Sequence, residues 1–232
     1  MISIKSLDFR YEDELILKNI NLELKDGCYT AIIGANGSGK TTLAKHLNAL
    51  LLPIKGSVII DNIDTKKDQF NARKKVGFVF QNPEDQLVYS IVEEDIAFGL
   101  ENLGMETKEM KSKVNEILKE LNIEYIAKKN VNVLSAGQKQ LTALAGILAM
   151  SPKYIVFDEP TTLLDNKNKA NIMKIIKKLN KNNKIGIILV TNLLSDIKYA
   201  DNVVVMSDGR IVFNDKKSKL NKNILKKAGL GA

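Results

Sequence analysis

The stretch GANGSGKTT, Gly34 to Thr42, constrains this chain more than any other part of it. It follows the apolar run TAII and opens a segment in which Leu43, Leu47, Leu50 and Leu51 share one helical face, closed by Pro53. A G-x-x-x-x-G-K-[ST] spacing between a buried strand and a helix is the context a phosphate loop requires. Gly34, Gly37 and Gly39 let backbone N–H groups converge at a helix N-terminus, where the dipole also favours anions. Ala35, Asn36 and Ser38 fill the loop between them, and Thr42 closes the motif. Lys40 would bring its ammonium to the β- and γ-phosphates of a nucleotide, and Thr41 its hydroxyl to Mg2+. The bland reading is a glycine-rich turn with a chance Lys-Thr, and the flanking strand and helix weigh against it. Asn36-Gly37-Ser38 also spells a glycosylation sequon, but with no secretory signal that match is chance.

YIVFDEP, Tyr154 to Pro160, is an apolar strand ending in two adjacent carboxylates. Successive strand side chains point opposite ways, so Asp158 and Glu159 are expected to be inequivalent. One of them can hold Mg2+ through water while the other faces the γ-phosphate and polarises an attacking water. IGIILVTNLL, Ile185 to Leu194, is a second buried-strand run, and it stops at Thr191-Asn192, where an open α/β sheet places either chemistry or a turn. More than a hundred residues separate the phosphate loop from the carboxylates, too many for one crossover helix. Among them LSAGQ, Leu134 to Gln138, matches an S-x-x-Q capping box, so Ser135 is expected to cap the helix that carries Leu141, Leu144 and Leu148. A capped helix start containing Gly137 is also a second anion-favouring end.

The remaining pattern fits one α/β domain over residues 1–232. Ile20, Leu22 and Leu24 alternate with polar neighbours before an Asp26-Gly27 turn, which reads as an N-terminal antiparallel β region. After Pro152 the strands YIVF, IGIILV and NVVVM surround a helix carrying Ile172, Ile175, Ile176 and Leu179, and Asp208-Gly209 forms a hairpin into RIVF. Such alternation implies a mostly parallel sheet, which the helical stretch from about 91 to 150 interrupts as an inserted subdomain would. A lone Cys28 forms no internal disulfide, and MISIKSLDFRYEDE lacks the pattern of a secretory signal; both point to the cytosol. No apolar stretch reaches the ~20 residues that span a bilayer, so a membrane role would be peripheral. Lys+Arg 35 against Asp+Glu 27 leaves +8, much of it in 166–184 and 216–227, which read as solvated helix faces. No basic patch carries interleaved aromatics, so nucleic acid is not an expected partner.

GANGSGKTT, LSAGQ and YIVFDEP, in this order and spacing, resemble the nucleotide-binding domains of ATP-binding-cassette (ABC) proteins over essentially the whole chain. The resemblance implies a P-loop NTPase fold with the helical signature subdomain at about 91–150, ATP and Mg2+ as ligands, and ATP hydrolysis in a head-to-tail dimer. In such a dimer the signature segment of one subunit closes over the ATP held by the other, so Ser135, Gly137 and Gln138 would act on the partner's ATP. It also implies that Tyr11 stacks on adenine, where a core strand tyrosine is the other reading. Gln81 would contact Mg2+ and the attacking water and sense a transport subunit, Thr41, Gln81 and Asp158 would form the Mg2+ shell, and Glu159 would polarise the water. Leu164-Asp165 would touch the partner subunit. More narrowly, FQNPEDQL, VEEDIAFGLENLG and LAKHLNALLLPIKG look like the ATPases of energy-coupling-factor (ECF) transporters, the cobalt, nickel and vitamin uptake systems. His46, the only histidine, belongs to that stretch and reads as structural.

Three positions depart from the family pattern. Ala136 replaces a glycine of the signature, Leu141 an arginine, and Thr191-Asn192 falls where the family has a histidine that contacts the γ-phosphate. Asn192 is therefore a catalytic position without its usual residue. The chain also stops at Ala232, short of the extension many ECF ATPases carry. The resulting expectation is the ATP-binding subunit of an ECF-type ABC importer, peripheral on the cytoplasmic face of the cell membrane, with hydrolysis weakened at Asn192. Its partners would be a second ABC ATPase, a heterodimer being favoured, an integral membrane coupling subunit and a substrate-binding membrane subunit. Two rivals stand beside it: a soluble ABC ATPase acting on nucleic acid or ribosomes, and a nearly inactive subunit that completes a neighbour's ATP site.

Overall fold

The computed structural model describes residues 1–230; Gly231 and Ala232, the end of the single domain expected above, lie outside the described residues. In chain order the elements are β1 (Ile2–Tyr11), β2 (Glu14–Leu24), β3 (Tyr29–Gly34), α1 (Lys40–Leu47), β4 (Lys55–Ile60), β5 (Ile63–Asp64), α2 (Gln69–Lys75) and β6 (Val76–Val79). There follow α3 (Val92–Asn102), α4 (Thr107–Leu121), α5 (Ala136–Ala149), β7 (Tyr154–Asp158), α6 (Asn166–Lys181), β8 (Gly186–Thr191), β9 (Asn202–Ser207), β10 (Arg210–Lys216) and α7 (Lys222–Lys227). The chain divides into two compact units, one built from 1–77, 153–159 and the segment from 177 onward, the other from 78–152 and 160–176.

The first unit holds two sheets. In the antiparallel sheet β2-β1-β4-β5, Ile20, Leu22 and Leu24 are buried while Asn21 and Glu23 are exposed, the period-2 alternation of a sheet with one wet face. The larger sheet runs β10-β9-β3-β8-β7-β6, and β3 lies parallel to both β8 and β9. Here β3, β7 and β8 are buried at every position, which is why their sequences read as continuous apolar runs. Asp208 and Gly209 both take positive φ, 47° and 73°, and turn β9 into antiparallel β10. The last strand of the sheet, β6, leads into the second unit at Phe78.

Helix α1 is shorter than its leucine periodicity implies. It ends at Leu47, Asn48 caps it, and Ala49 adopts a left-handed φ of 58°. The Asn48 side chain accepts from Leu50 N–H at 3.2 Å, and Leu50 and Leu51 return their N–H groups to the Lys45 carbonyl. A short amide side chain that captures the next backbone donor ends the helix, and Leu50 is exposed instead of joining Leu43 and Leu47 in the core.

In the second unit α3, α4 and α5 bury Ile96, Leu100, Val114, Ile117, Leu118, Leu121, Leu144 and Leu148 against one another. Leu141 is buried in α5 as well, so the residue that departs from the family arginine serves this apolar core. The unit takes in the 81–91 segment and the loop before α6 in addition to the 91–150 helical run. Among the described residues no helix is long and apolar enough to cross a membrane.

Candidate functional site

The phosphate loop joins fully buried β3 to α1. Gly39 precedes α1 with a left-handed φ of 94°, Gly37 has φ 78°, and no side chain caps the helix start. A Cβ on Gly34 would lie 2.5 Å from Met206 O and from Ser38 Oγ, so only glycine fits there. The Ser38 hydroxyl is itself buried without a hydrogen-bond partner. Lys40 is 5% exposed and donates to the Gly34 and Ala35 carbonyls at 3.0 and 2.9 Å; burial lowers the pKa of its ammonium, opposed by Glu159 and Asp158. Asn36 and Thr41 are exposed, Ala35 half-buried and Thr42 buried.

Two strand ends meet this loop. Asp158 closes β7 and accepts the Thr41 hydroxyl at 2.9 Å. At 5% exposure its pKa is raised by burial, a rise opposed by the Thr41 hydrogen bond and reinforced by Glu159. Asp158 and Glu159 are inequivalent, but strand alternation is not the reason: Glu159 has left the strand with φ 47°, and its N–H donates to Val190 O at 3.0 Å. The pair at the end of β8 also separates. Thr191 is buried and structural, its hydroxyl accepting from Leu193 N–H at 3.0 Å and donating to Asp196 Oδ2 at 3.4 Å. Asn192 is half-buried, and its amide donates to Asn36 Oδ1 on the phosphate loop at 3.3 Å. The position that lacks a histidine therefore does reach the loop.

Tyr11, at the end of β1, is 46% exposed and stands edge-on to Phe9 with ring centroids 5.0 Å apart, so it is not a core tyrosine. Phe9 packs edge-on against His46, which is fully buried with Nδ1 2.7 Å from Thr42 O. The carbonyl can only accept, so Nδ1 carries the proton, and burial lowers the pKa of this imidazole.

In the second unit, Ser135 caps α5 as the sequence predicts: its Oγ accepts from Gln138 N–H, and Gln138 Oε1 accepts from Ser135 N–H at 3.0 Å. Gln138 Nε2 points to the Tyr125 hydroxyl at 3.4 Å, and Gly137 is buried beside Asn168. Ser135 and Ala136 are exposed, so the extra methyl at 136 lies at the surface. Gln81 is exposed at the start of a loop whose course is pinned by its neighbours. Gln86 accepts from Phe80 N–H and donates to Ala143 O, Lys139 pairs with Glu84, and Asp95 Oδ1 accepts from both Val88 and Tyr89 N–H at 2.6 and 2.9 Å. Sequence reasoning missed Asp95, Tyr125 and Asn168 as supports. Asp95 lies inside VEEDIAFGLENLG and was the one with a signal, a carboxylate on the buried face of a helix.

The ABC transporter family model matches residues 17–162. The Energy-coupling factor transporter ATP-binding protein EcfA1 of Clostridioides difficile is 46% identical over 216 residues, 90% of this chain and 78% of that protein. The cobalt import ATP-binding protein CbiO of Syntrophus aciditrophicus is 44% identical, over 93% of this chain and 78% of its own. Among solved structures, cbiO1 from Clostridium perfringens, part of the ABC transporter complex cbiONQ, superposes with a TM-score of 0.86 at 35% identity, covering 97% of this chain and 93% of that one. The ATP-binding cassette MJ0796, a dimer in a post-hydrolysis state with ADP and Pi, reaches 0.83 at 32% identity over 93% of this chain and 98% of its own. The chain belongs to the ABC transporter family of ATP-binding proteins.

Proposed function

We propose that this chain is the ATP-hydrolysing subunit of an ECF-type importer, coupling ATP binding and hydrolysis to uptake of a metal ion or vitamin through membrane partners. The observation that carries the reading is the cluster at the phosphate loop: a buried Lys40 ammonium beside Thr41 and Asp158, whose oxygens stand 2.9 Å apart. The loop fits a polyphosphate, because its glycine leaves no room for a side chain and its buried Ser38 hydroxyl lacks a partner. It also fits Mg2+, which is ordinarily held by one or two protein oxygens together with phosphates, because the Thr41 hydroxyl and the Asp158 carboxylate stand together at its edge. Thr41 and Asp158 would hold Mg2+, which when bound stabilises charge on the phosphoryl oxygens; the family resemblance alone adds Gln81.

Each residue of the chain then has a task. Tyr11 offers its exposed ring to the base, and Gly34 to Thr42 take the phosphates. Lys40 offsets charge that grows toward the leaving oxygen, and Glu159 accepts a proton from the water that attacks the γ-phosphorus. Ser135, Gly137 and Gln138 act on the ATP of a partner subunit. The FQNPEDQL segment and the relatives named as ECF and cobalt import proteins support a membrane coupling subunit as the other partner and a peripheral position on the cytoplasmic face. Co-expressed with that subunit, the protein is expected to sediment with membranes and to be released when residues 81–92 are altered. Salt-sensitive co-purification with ribosomes or nucleic acid would overturn the reading.

The Asn192–Asn36 contact favours a second element of this proposal. An amide donates one hydrogen bond but cannot carry positive charge, so hydrolysis at this chain's own loop is slow, and a heterodimer with a histidine-bearing ATPase restores a fast site.

A further inference from the structure

Gly137 raises a question that the signature motif alone does not answer. It is the second residue of α5, buried, and its φ lies outside the left-handed region, so its backbone conformation is one that alanine adopts readily. Within a helix glycine is less favourable than alanine, so glycine here calls for another reason. What requires glycine here is space. A Cβ at 137 would lie 2.7 Å from both Cγ and Oδ1 of Asn168 and 3.1 Å from its Nδ2. A carboxamide can normally swing aside, but this one is tied down: Asn168 Nδ2 donates to Asp165 Oδ2 at 2.6 Å. The other Asp165 oxygen accepts from the N–H groups of Lys167 and Asn168, both at 2.9 Å, so Asp165 is itself fixed as the cap of α6.

We infer that Asn168 is a positioning residue for hydrolysis: its carboxamide, held by Asp165, fixes the backbone at Gly137 and so sets how the start of α5 is presented to the partner's ATP. The inference rests on the reading of Ser135 to Gln138 as acting on a partner's nucleotide. Asn168 touches no substrate; it acts through Gly137. It also joins two segments of one unit, because the loop ending in Leu164-Asp165, which the family resemblance directs at the partner subunit, is held through one side chain to the segment directed at the partner's ATP. A shift of Asp165 on docking is thereby passed to Gly137 without any change in the phosphate loop.

The test is a double-mutant cycle read in two ways. In steady-state ATPase assays of the purified protein, Gly137→Ala is expected to lower kcat about tenfold with KM for ATP within about twofold of wild type, since the alanine methyl strikes the tethered amide and leaves the phosphate loop alone. Asn168→Gly by itself is expected to lower kcat about threefold, and the Gly137→Ala/Asn168→Gly double variant to recover most of the tenfold loss. If the losses of the two single variants simply multiply in the double variant, Gly137 is glycine for the sake of the partner's phosphate and the inference falls. The second reading needs no nucleotide. Amide hydrogen exchange of residues 135–140 is expected to be about fivefold faster in Asn168→Gly and in Asp165→Asn than in wild type, with the rest of α5 unchanged. Equal exchange in all three proteins would also overturn the inference. A wild-type protein that binds no ATP would sink the proposed function, while the exchange measurement would still decide the role of Asn168.

Discussion

The phosphate loop and the signature segment are both helix starts, and they satisfy their backbone donors in opposite ways. The start of α1 has a left-handed glycine and no side-chain cap, within a loop whose Gly34, Ser38 and Lys40 are buried. The start of α5 carries a complete capping box from Ser135 and Gln138, and it is flanked by exposed side chains, with Tyr125 65% and Val133 74% accessible. The first arrangement leaves the N–H groups of the α1 start without a side-chain cap; the second has already satisfied two of its donors. On the proposed function, the first start would be one half of a nucleotide site and the second would supply the other half of a partner subunit's site.

Substitutions of different strength test that contrast. The largest effect is expected for Glu159→Gln, which loses charge at nearly constant shape: turnover should fall on the order of a thousandfold while ATP affinity holds, and an ATP-bound dimer should accumulate on a sizing column. A variant that turns over at the wild-type rate would move the proton acceptor elsewhere. Lys40→Ala comes next. It should weaken Mg-ATP binding about a hundredfold in a calorimetric titration, at every protein concentration, with an unchanged circular dichroism spectrum. Dependence of this affinity on protein concentration would mean that binding too is shared between subunits. Asn192→His should raise turnover about tenfold, less than the roughly hundredfold that a full transition-state donor of ~3 kcal/mol brings, because an amide can itself donate one hydrogen bond. Equal rates at saturating Mg-ATP, with chemistry shown to be limiting, would clear position 192 of blame.

The smallest effect concerns the apolar side of α1. Burial depresses the folded His46 pKa below its ordinary 6.5, so the unfolded chain takes up a proton first as pH falls. Stability is therefore full above about 6.5, and is lost as pH drops through that value until the folded imidazole also protonates. His46 is the only histidine, which makes this window nearly its own. Melting temperature is expected to fall between pH 7.5 and 5.5 in wild type and to fall less in His46→Phe.

The two halves differed in how far the sequence revealed them. The phosphate loop was legible because its requirements are local: spacing, flanking periodicity and glycines suffice to place Gly34 to Thr42 between β3 and α1. Helix α1 was drawn too long because Leu50 and Leu51 keep the helical period, whereas its end depends on which donor the Asn48 amide captures. The inequivalence of Asp158 and Glu159 was foreseen from strand alternation, yet it arises from a backbone that leaves the strand, which no side-chain pattern encodes. The Ser135 cap was legible from S-x-x-Q, since both partners lie within one turn. Asn168 was not: it lies 31 positions from Gly137, and nothing in either sequence neighbourhood marks their approach.

The left-handed backbone at Glu159 bears on how this protein would drift under different selection. A non-glycine residue with φ 47° sits in a conformation that costs about 1 kcal/mol or more, and here it adds a second carboxylate beside buried Asp158, whose pKa it helps to raise. Asparagine at 159 would tolerate the left-handed region better and relieve the repulsion from Asp158, at the cost of the attraction to the Lys40 ammonium. A lineage that kept the domain only as a scaffold would be free to lose this glutamate, whose backbone conformation carries that cost. On the role proposed for Glu159, the glutamate at this left-handed position would serve turnover and not folding.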